Sequence, residues 1–183
     1  MTNSIGCIEL SSIAVGYAVA DAMVKAASID IIWNEIQCPG RLMLMILGDT
    51  ASVHAAIEVG ASKGRARVVD SLVLSRVHPD VLAAIRKRKA AKAAEALGVV
   101  EALTLSSAIQ VADSIAKSSS VNIINFNASI GIAGKGVVMF CGDTASVSSA
   151  IEIADKYAAT RGCTIHSAFI PNPSEQLLAR KRL

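Results

Sequence analysis

The chain has 183 residues, of which 52% are hydrophobic, 18% are charged and 3% are aromatic, with a mean hydropathy of +0.49 and a formal net charge of +3. Charged residues interrupt nearly every apolar stretch, and the longest uncharged one, Ser118–Gly134, contains serines and asparagines, so we expect no membrane span. The apolar excess instead predicts extensive subunit interfaces. The start of the chain lacks the pattern of a secretion signal, which predicts a cytosolic protein with reduced thiols.

Two basic clusters, Arg86–Lys92 and Arg180–Arg182, contain much of the positive charge. Nucleic-acid binding is one interpretation of such clusters, but aromatic platforms for base stacking are scarce here. We therefore expect a solvated linker helix and a terminal tail, and no nucleic-acid partner.

The chain is a tandem repeat of one unit of about ninety residues. Ile5–Ala22 recurs without gaps as Leu97–Ser114, which is 92 positions later, and Gly48–Glu58 recurs as Gly142–Glu152, which is 94 positions later. Each copy is near the lower size limit for a self-sufficient core, so we expect contacts between copies or between chains.

Hydrophobic patterning predicts the same elements in both copies. In the first copy these are strand Ile5–Leu10, a helix beginning at Ser12, strands Ile29–Ile36 and Arg41–Leu47, helix Thr50–Lys63 and strand Val68–Ser75. In the second copy they come after strand-forming residues at Leu97 and are a helix after Thr104, strands Val121–Ile130 and Lys135–Cys141, helix Thr144–Thr160 and strand Thr164–Ile170. His78–Pro79 and Asn172–Pro173 end the last strands, which pairs His78 with Asn172. Asp80–Ala96 is predicted to be a helical linker.

The first helix of each copy carries an apolar stripe that predicts one buried face. The stripes consist of Ile13, Tyr17, Ala20, Val24 and Ala27 in the first copy, and of Leu105, Ile109, Ala112, Ala116 and Ser119 in the second. Asp49 and Asp143 precede the second helices, and their identical context indicates helix N-caps rather than catalytic acids.

The order β-α-β-β-α-β predicts an α+β fold made of two tandem ferredoxin-like (split βαβ) domains. We place the first domain at residues 1–79, a basic linker helix at 80–96 and the second domain at 97–183. An enzyme is disfavoured, because His54, His78 and His166 lie in no recognisable triad, metal-ligand spacing or phosphate loop.

The repeated landmarks resemble those of bacterial microcompartment shell proteins. They are the IGxIE start (LGVVE in the second copy), the following Asp and Lys-Ala, the turn PGR or AGK, and the helix GDxxxVxxAIE. Two such units in one chain resemble the tandem-domain class, which implies a homotrimer that imitates a hexamer around a central pore. The family also implies discs that join other shell proteins edge to edge.

Within that class, the stretch Gln37–Cys38–Pro39–Gly40–Arg41 resembles the pore turn of the T-type shell proteins of propanediol-utilising compartments. The resemblance implies that Cys38 meets its two symmetry mates at the pore and ligates an iron–sulfur cluster, of the 4Fe-4S type, shared by three chains. The second copy has Ile132 at the equivalent place. From the residues alone, a free thiol in a turn remains the alternative for Cys38, while Cys7, Cys141 and Cys163 are expected to be small core residues.

Other positions are implied by the same resemblance. The pore set comprises Gln37, Cys38, Pro39, Gly40, Arg41, Ile132, Gly134 and Lys135. Arg41 and Lys135 either line the pore or flank it. Lys25 and Lys117 match the lysine that the family places on disc edges, with two solvated lysines as the alternative.

The sequence therefore predicts a structural protein of a microcompartment shell, with a cluster-bearing pore that transfers electrons, or the cluster itself, across the shell. A redox enzyme in the lumen is a candidate partner. The alternative is a shell trimer whose empty pore conducts a small polar metabolite.

Overall fold

The computed structural model describes residues 4–86, 94–127, 135–161 and 165–178. The described residues up to Val77 form one compact unit, and those from His78 onward form a second. Within the described residues, no helix is long and apolar enough to cross a membrane.

The first unit is a four-stranded antiparallel sheet with two helices. Its elements are β1 Ser4–Leu10, α1 Ile13–Ala26, β2 Ile29–Gln37, β3 Arg41–Gly48, α2 Thr50–Gly64, a 3₁₀ turn Arg65–Arg67 and β4 Val68–Leu74. The strand order is β2-β3-β1-β4, and every neighbouring pair is antiparallel. This is the split βαβ arrangement that the sequence predicts.

The second unit repeats that sheet and adds a helix before it. Its elements are α3 Pro79–Arg86, β5 Ala96–Ala102, α4 Leu105–Ser118, β6 Asn122–Asn127, β7 Gly136–Gly142, α5 Thr144–Arg161, β8 Ile165–Pro171 and α6 Glu175–Leu178. The strand order β6-β7-β5-β8 matches that of the first unit. α3 packs against β6 and α4.

The linker prediction needs one correction. A helix from Asp80 to Ala96 is too long, because residues 94 and 95 are not helical and Ala96 begins β5. Most of the basic stretch Arg86–Lys92, the end of the predicted strand Val121–Ile130, and the tail Arg180–Arg182 lie outside the described residues.

The helix starts agree closely with the sequence prediction. Ser12 and Thr104 each accept a hydrogen bond from a backbone N–H three residues ahead. Asp49 accepts from the Ser52 hydroxyl and N–H, and these bonds lower the pKa of its carboxyl. The N–H and hydroxyl of Ser146 lower the pKa of Asp143 in the same way, so both carboxylates are N-caps.

The core of the first unit lies between the sheet and its two helices. Alternate strand residues and one face of each helix supply it: Ile8, Leu10, Leu42, Leu44, Ile46, Val19, Ala20, Met23, Val53, Ala56 and Ile57. The predicted stripe on α1 is wrong in this unit at two positions, since the Tyr17 and Val24 side chains are exposed. In the second unit the matching residue Ile109 is buried, as predicted.

Helix and strand approach closely in both units, but by opposite choices of residue. In the first unit Gly16 of α1 lies against Leu42 of β3, and a Cβ atom added to Gly16 would lie 2.3 Å from the Leu42 Cδ2. In the second unit the small residue is on the strand, where a Cβ added to Gly136 would lie 2.3 Å from the Ala108 Cβ. Each pair therefore fills one shared space, as close packing requires.

Candidate functional site

The turn between β2 and β3 is tight and carries the cysteine that the sequence singles out. Gln37 and Arg41 are the last pair of the β2–β3 ladder. The Gly40 N–H donates to the Gln37 carbonyl at 2.8 Å, and the Cys38–Pro39 peptide bond is cis. This is the arrangement of a type VI turn. Gly40 has a φ of +88° with open space around its Cα, so glycine is required there by the backbone rather than by crowding.

Cys38 differs from the other described cysteines in its exposure. Its thiol is free and its side chain is exposed, whereas Cys7 and Cys141 are buried. Burial raises the pKa of the Cys141 thiol, which disfavours the thiolate that metal binding needs. Cys163 lies outside the described residues. Cys38 is therefore the described cysteine that is available to a metal or to another chain.

An ion pair fixes the base of this turn. The Arg41 Nη1 lies 3.8 Å from the Glu9 Oε2, and the Glu9 side chain is fully buried. Gln37, at the other end of the turn, is also buried. Arg41 therefore points back toward β1, while Cys38, Pro39 and Gly40 are exposed.

The second unit has the equivalent pair. The Lys135 Nζ donates to the Glu101 Oε1 at 2.7 Å, and both side chains are partly exposed. Ile132 and Gly134 lie outside the described residues. Sequence reasoning missed the glutamates, although the signal was present: Glu9 and Glu101 recur at one position of the repeat, ahead of a basic residue that also recurs.

Within one described chain, no three metal-binding side chains of the His, Cys, Asp and Glu types cluster together. A ligand set built from Cys38 therefore needs sulfur from further chains.

Comparison with known proteins places the fold in a family. Residues 4–77 and 96–173 each match the BMC domain. The chain is 35% identical over 177 residues to the bacterial microcompartment shell protein PduT of Citrobacter freundii, which covers 97% of this chain and 96% of PduT. The chain belongs to the BMC-domain family of bacterial microcompartment shell proteins.

Two further similarities agree with this assignment. The shell protein PduK of Citrobacter freundii is 41% identical over 78 residues, which are 42% of this chain and 49% of PduK. A crystal structure of a microcompartment protein from Desulfitobacterium hafniense DCB superposes with a TM-score of 0.86 at 36% identity, over 96% of this chain and 97% of that one. The fused permuted hexameric shell protein MSM0275 has a similar fold, with a TM-score of 0.64 at 22% identity and coverage of 86% of this chain and 84% of that one.

The shell-protein lysines sit in similar but unequal surroundings. The Lys25 Nζ contacts the Asp21 Oδ2 at 2.7 Å, and both side chains are well exposed. Lys117 makes the same i,i+4 pair with Asp113, but the Asp113 carboxylate is buried and also accepts the His78 N–H at 2.8 Å. The two lysines are therefore equivalent in position and different in environment.

Proposed function

We propose that this shell protein forms a homotrimer whose pore is lined by the Cys38 turns, and that the three Cys38 thiolates hold one iron–sulfur cluster. The observation that carries the proposal is the exposure of a free thiol on a tight turn, beside two described cysteines that are buried. The similarity to PduT over nearly the full chain supports a role in a shell of the same type.

Threefold symmetry supplies what one chain lacks. Each chain offers one exposed described cysteine, and a closed cyclic trimer brings three copies of one residue around its axis. Thiolate is the ligand that iron–sulfur clusters require. Ile132, the counterpart of Cys38 in the repeat, offers no sulfur, so three of the six turns would bind the cluster.

The residues around Cys38 suit this role. Hydrogen bonding within the turn and the Glu9–Arg41 pair hold the backbone on both sides of the thiol. A bound cluster would supply one-electron transfer across the shell. Three thiolates leave one iron of a four-iron cluster without a cysteine ligand, and water, a small solute or a partner's side chain would occupy that position. We propose a structural and electron-transferring role, without catalysis by the chain itself.

The second candidate is an empty pore that conducts a small polar metabolite. The observation in its favour is that both units keep a basic residue beside the turn, Arg41 and Lys135, each paired with a glutamate. Other shell proteins at the disc edges, contacted through Lys25 and Lys117, belong to both candidates. A redox enzyme in the lumen would be a partner only of the first.

Anaerobic purification with iron and acid-labile sulfide analysis separates the two candidates. We expect a brown protein with one cluster per three chains, and a Cys38→Ser variant that lacks the visible absorbance and the iron but remains trimeric. The matched control is Cys141→Ala, which should keep the cluster because Cys141 is buried. A colourless wild-type protein, or a Cys38→Ser variant with full iron, would overturn the cluster assignment.

A further inference from the structure

In the second unit, a helix from the preceding segment covers the outer face of α4. α3 packs against α4 and β6, and its Val81 and Ala84 side chains are buried. The His78 N–H, at the start of α3, donates to the buried carboxylate of Asp113 on α4. The face of α4 that contains Ile109 and Asp113 is thereby withdrawn from solvent.

The matching face of the first unit is bare. Ile109 and Ile123 have relative exposures of 0% and 1%, whereas their counterparts Tyr17 and Ile31 are exposed by 53% and 40%. Asp21, the counterpart of Asp113, is likewise exposed. We call Tyr17, Asp21, Val24 and Ile31 the open face; its helical residues are spaced as on one side of α1. The sequence predicts this stripe to be buried, and the described chain alone does not bury it.

Strand register identifies the segment after the second sheet that corresponds to α3. Ile5 pairs with Leu74, and its counterpart Leu97 pairs with Ile170, so two residues on from each strand partner come Arg76 and Asn172. These two residues share a left-handed backbone, with φ of 52° and 46°. His78 therefore corresponds to Ser174 rather than to Asn172, because the pairing predicted from the sequence aligned one proline with the other.

The same register makes Leu177 the counterpart of Val81. Ser174 begins α6 as His78 begins α3, and the Leu177 N–H bonds back to Ser174 as the Val81 N–H bonds back to His78. Val81 is fully buried, whereas Leu177 is 50% exposed. The described chain thus contains one covered face with its covering helix, one open face, and one covering segment whose apolar Leu177 faces solvent.

We propose that Ser174–Leu178 of one chain docks on the open face of a second copy of the same chain, and repeats between chains the contact that α3 makes with α4 and β6. The occupant is a second copy because its segment matches α3 in register and in apolar position. The open face matches the covered one residue by residue. This inference rests on the proposed trimer, for which it names the contact surface.

Such a contact is head-to-tail, since the covering segment and the open face are different surfaces of the chain. Repetition of a head-to-tail contact around an axis closes a ring without leaving either surface free. Lys25 is compatible with this arrangement. Its counterpart Lys117 remains partly exposed beside the covered face, so the Lys25 ammonium stays available at the disc edge.

Charge substitutions on the two surfaces test the contact in the full-length chain. We expect Tyr17→Asp and Leu177→Asp each to raise the trimer dissociation constant by at least about tenfold, measured by sedimentation velocity and native mass spectrometry. Tyr17→Ile and Leu177→Val, which introduce the residue types of Ile109 and Val81, should leave assembly unchanged. The matched control is Ala55→Asp on α2, where this residue and its counterpart Ser149 are both exposed.

A mixture of the two charge variants tests the head-to-tail geometry. The Tyr17→Asp chain keeps its covering segment and the Leu177→Asp chain keeps its open face, so we expect a one-to-one dimer that cannot close. A wild-type trimer that survives both Asp substitutions would overturn the docking site and leave the proposed trimer standing. A wild-type protein that is monomeric at micromolar concentration would overturn both.

Discussion

The two units share a framework and differ in what covers it. Both have the same strand order, the same capped helix starts and a glutamate paired with the basic residue after the β-turn. Yet α4 is covered by α3, while the matching face of α1 is exposed. A duplicated sequence therefore keeps those residues that define topology, and it diverges where each copy meets a different neighbour.

The largest expected effect concerns the helix–strand packing that the two units achieve in opposite ways. Gly16→Ala should destabilise the protein by about 1–3 kcal/mol, because the added Cβ meets the buried Leu42 side chain. Gly136→Ala should have a similar effect through Ala108. Chemical denaturation followed by circular dichroism measures both.

A double variant sharpens this result. Adding Leu42→Ala to Gly16→Ala frees the crowded space, so the combined loss should be smaller than the sum of the two single losses. Additive losses would show that Gly16 is not required by its contact with Leu42.

The two lysine pairs should differ in strength. Lys117→Ala should cost about 2 kcal/mol because it removes a charged partner from the buried Asp113, whereas Lys25→Ala should cost about 0–1 kcal/mol at an exposed pair. Thermal unfolding of the single variants measures the difference, and equal losses would contradict it. Together the substitutions should leave trimers intact and weaken layer formation in electron micrographs, if both lysines act at disc edges.

The smallest effect concerns the two capping aspartates, where the units should behave alike. Their hydrogen bonds hold the folded pKa below the ordinary value of 3.8, so the stabilisation is present above that pH and is lost as pH falls through the folded pKa. Asp49→Asn and Asp143→Asn should each flatten the acid side of a stability–pH profile by a similar amount. An unchanged profile would show that the caps do not respond to protonation.

Local chemistry made the framework predictable from the sequence. Hydrophobic alternation, the serine, threonine and aspartate caps, and the repeat itself indicated the elements and their order, and the structure confirms them. The PGR turn with Cys38 was also visible, because proline and glycine mark turns by their own conformational limits.

Contacts between distant residues were not predictable in the same way. The buried Glu9 beside Arg41 depends on strand register, which a single sequence does not specify. Matching His78 with Asn172 relied on the prolines, whereas the β-ladders and the left-handed residues Arg76 and Asn172 set a different alignment. The exposure of Tyr17 likewise depends on what lies across the helix face and not on the periodicity of the helix.

The opposite packing of the two units limits how the repeat can change by exchange between its halves. A hybrid with Ala108 of α4 against Leu42 of β3 would combine both larger residues and clash, since the wild-type space admits no extra Cβ. The reciprocal hybrid would place Gly16 against Gly136 and leave a void, which also lowers stability. Recombination or gene conversion within one half-repeat is therefore penalised, and the two halves are held to separate evolutionary paths.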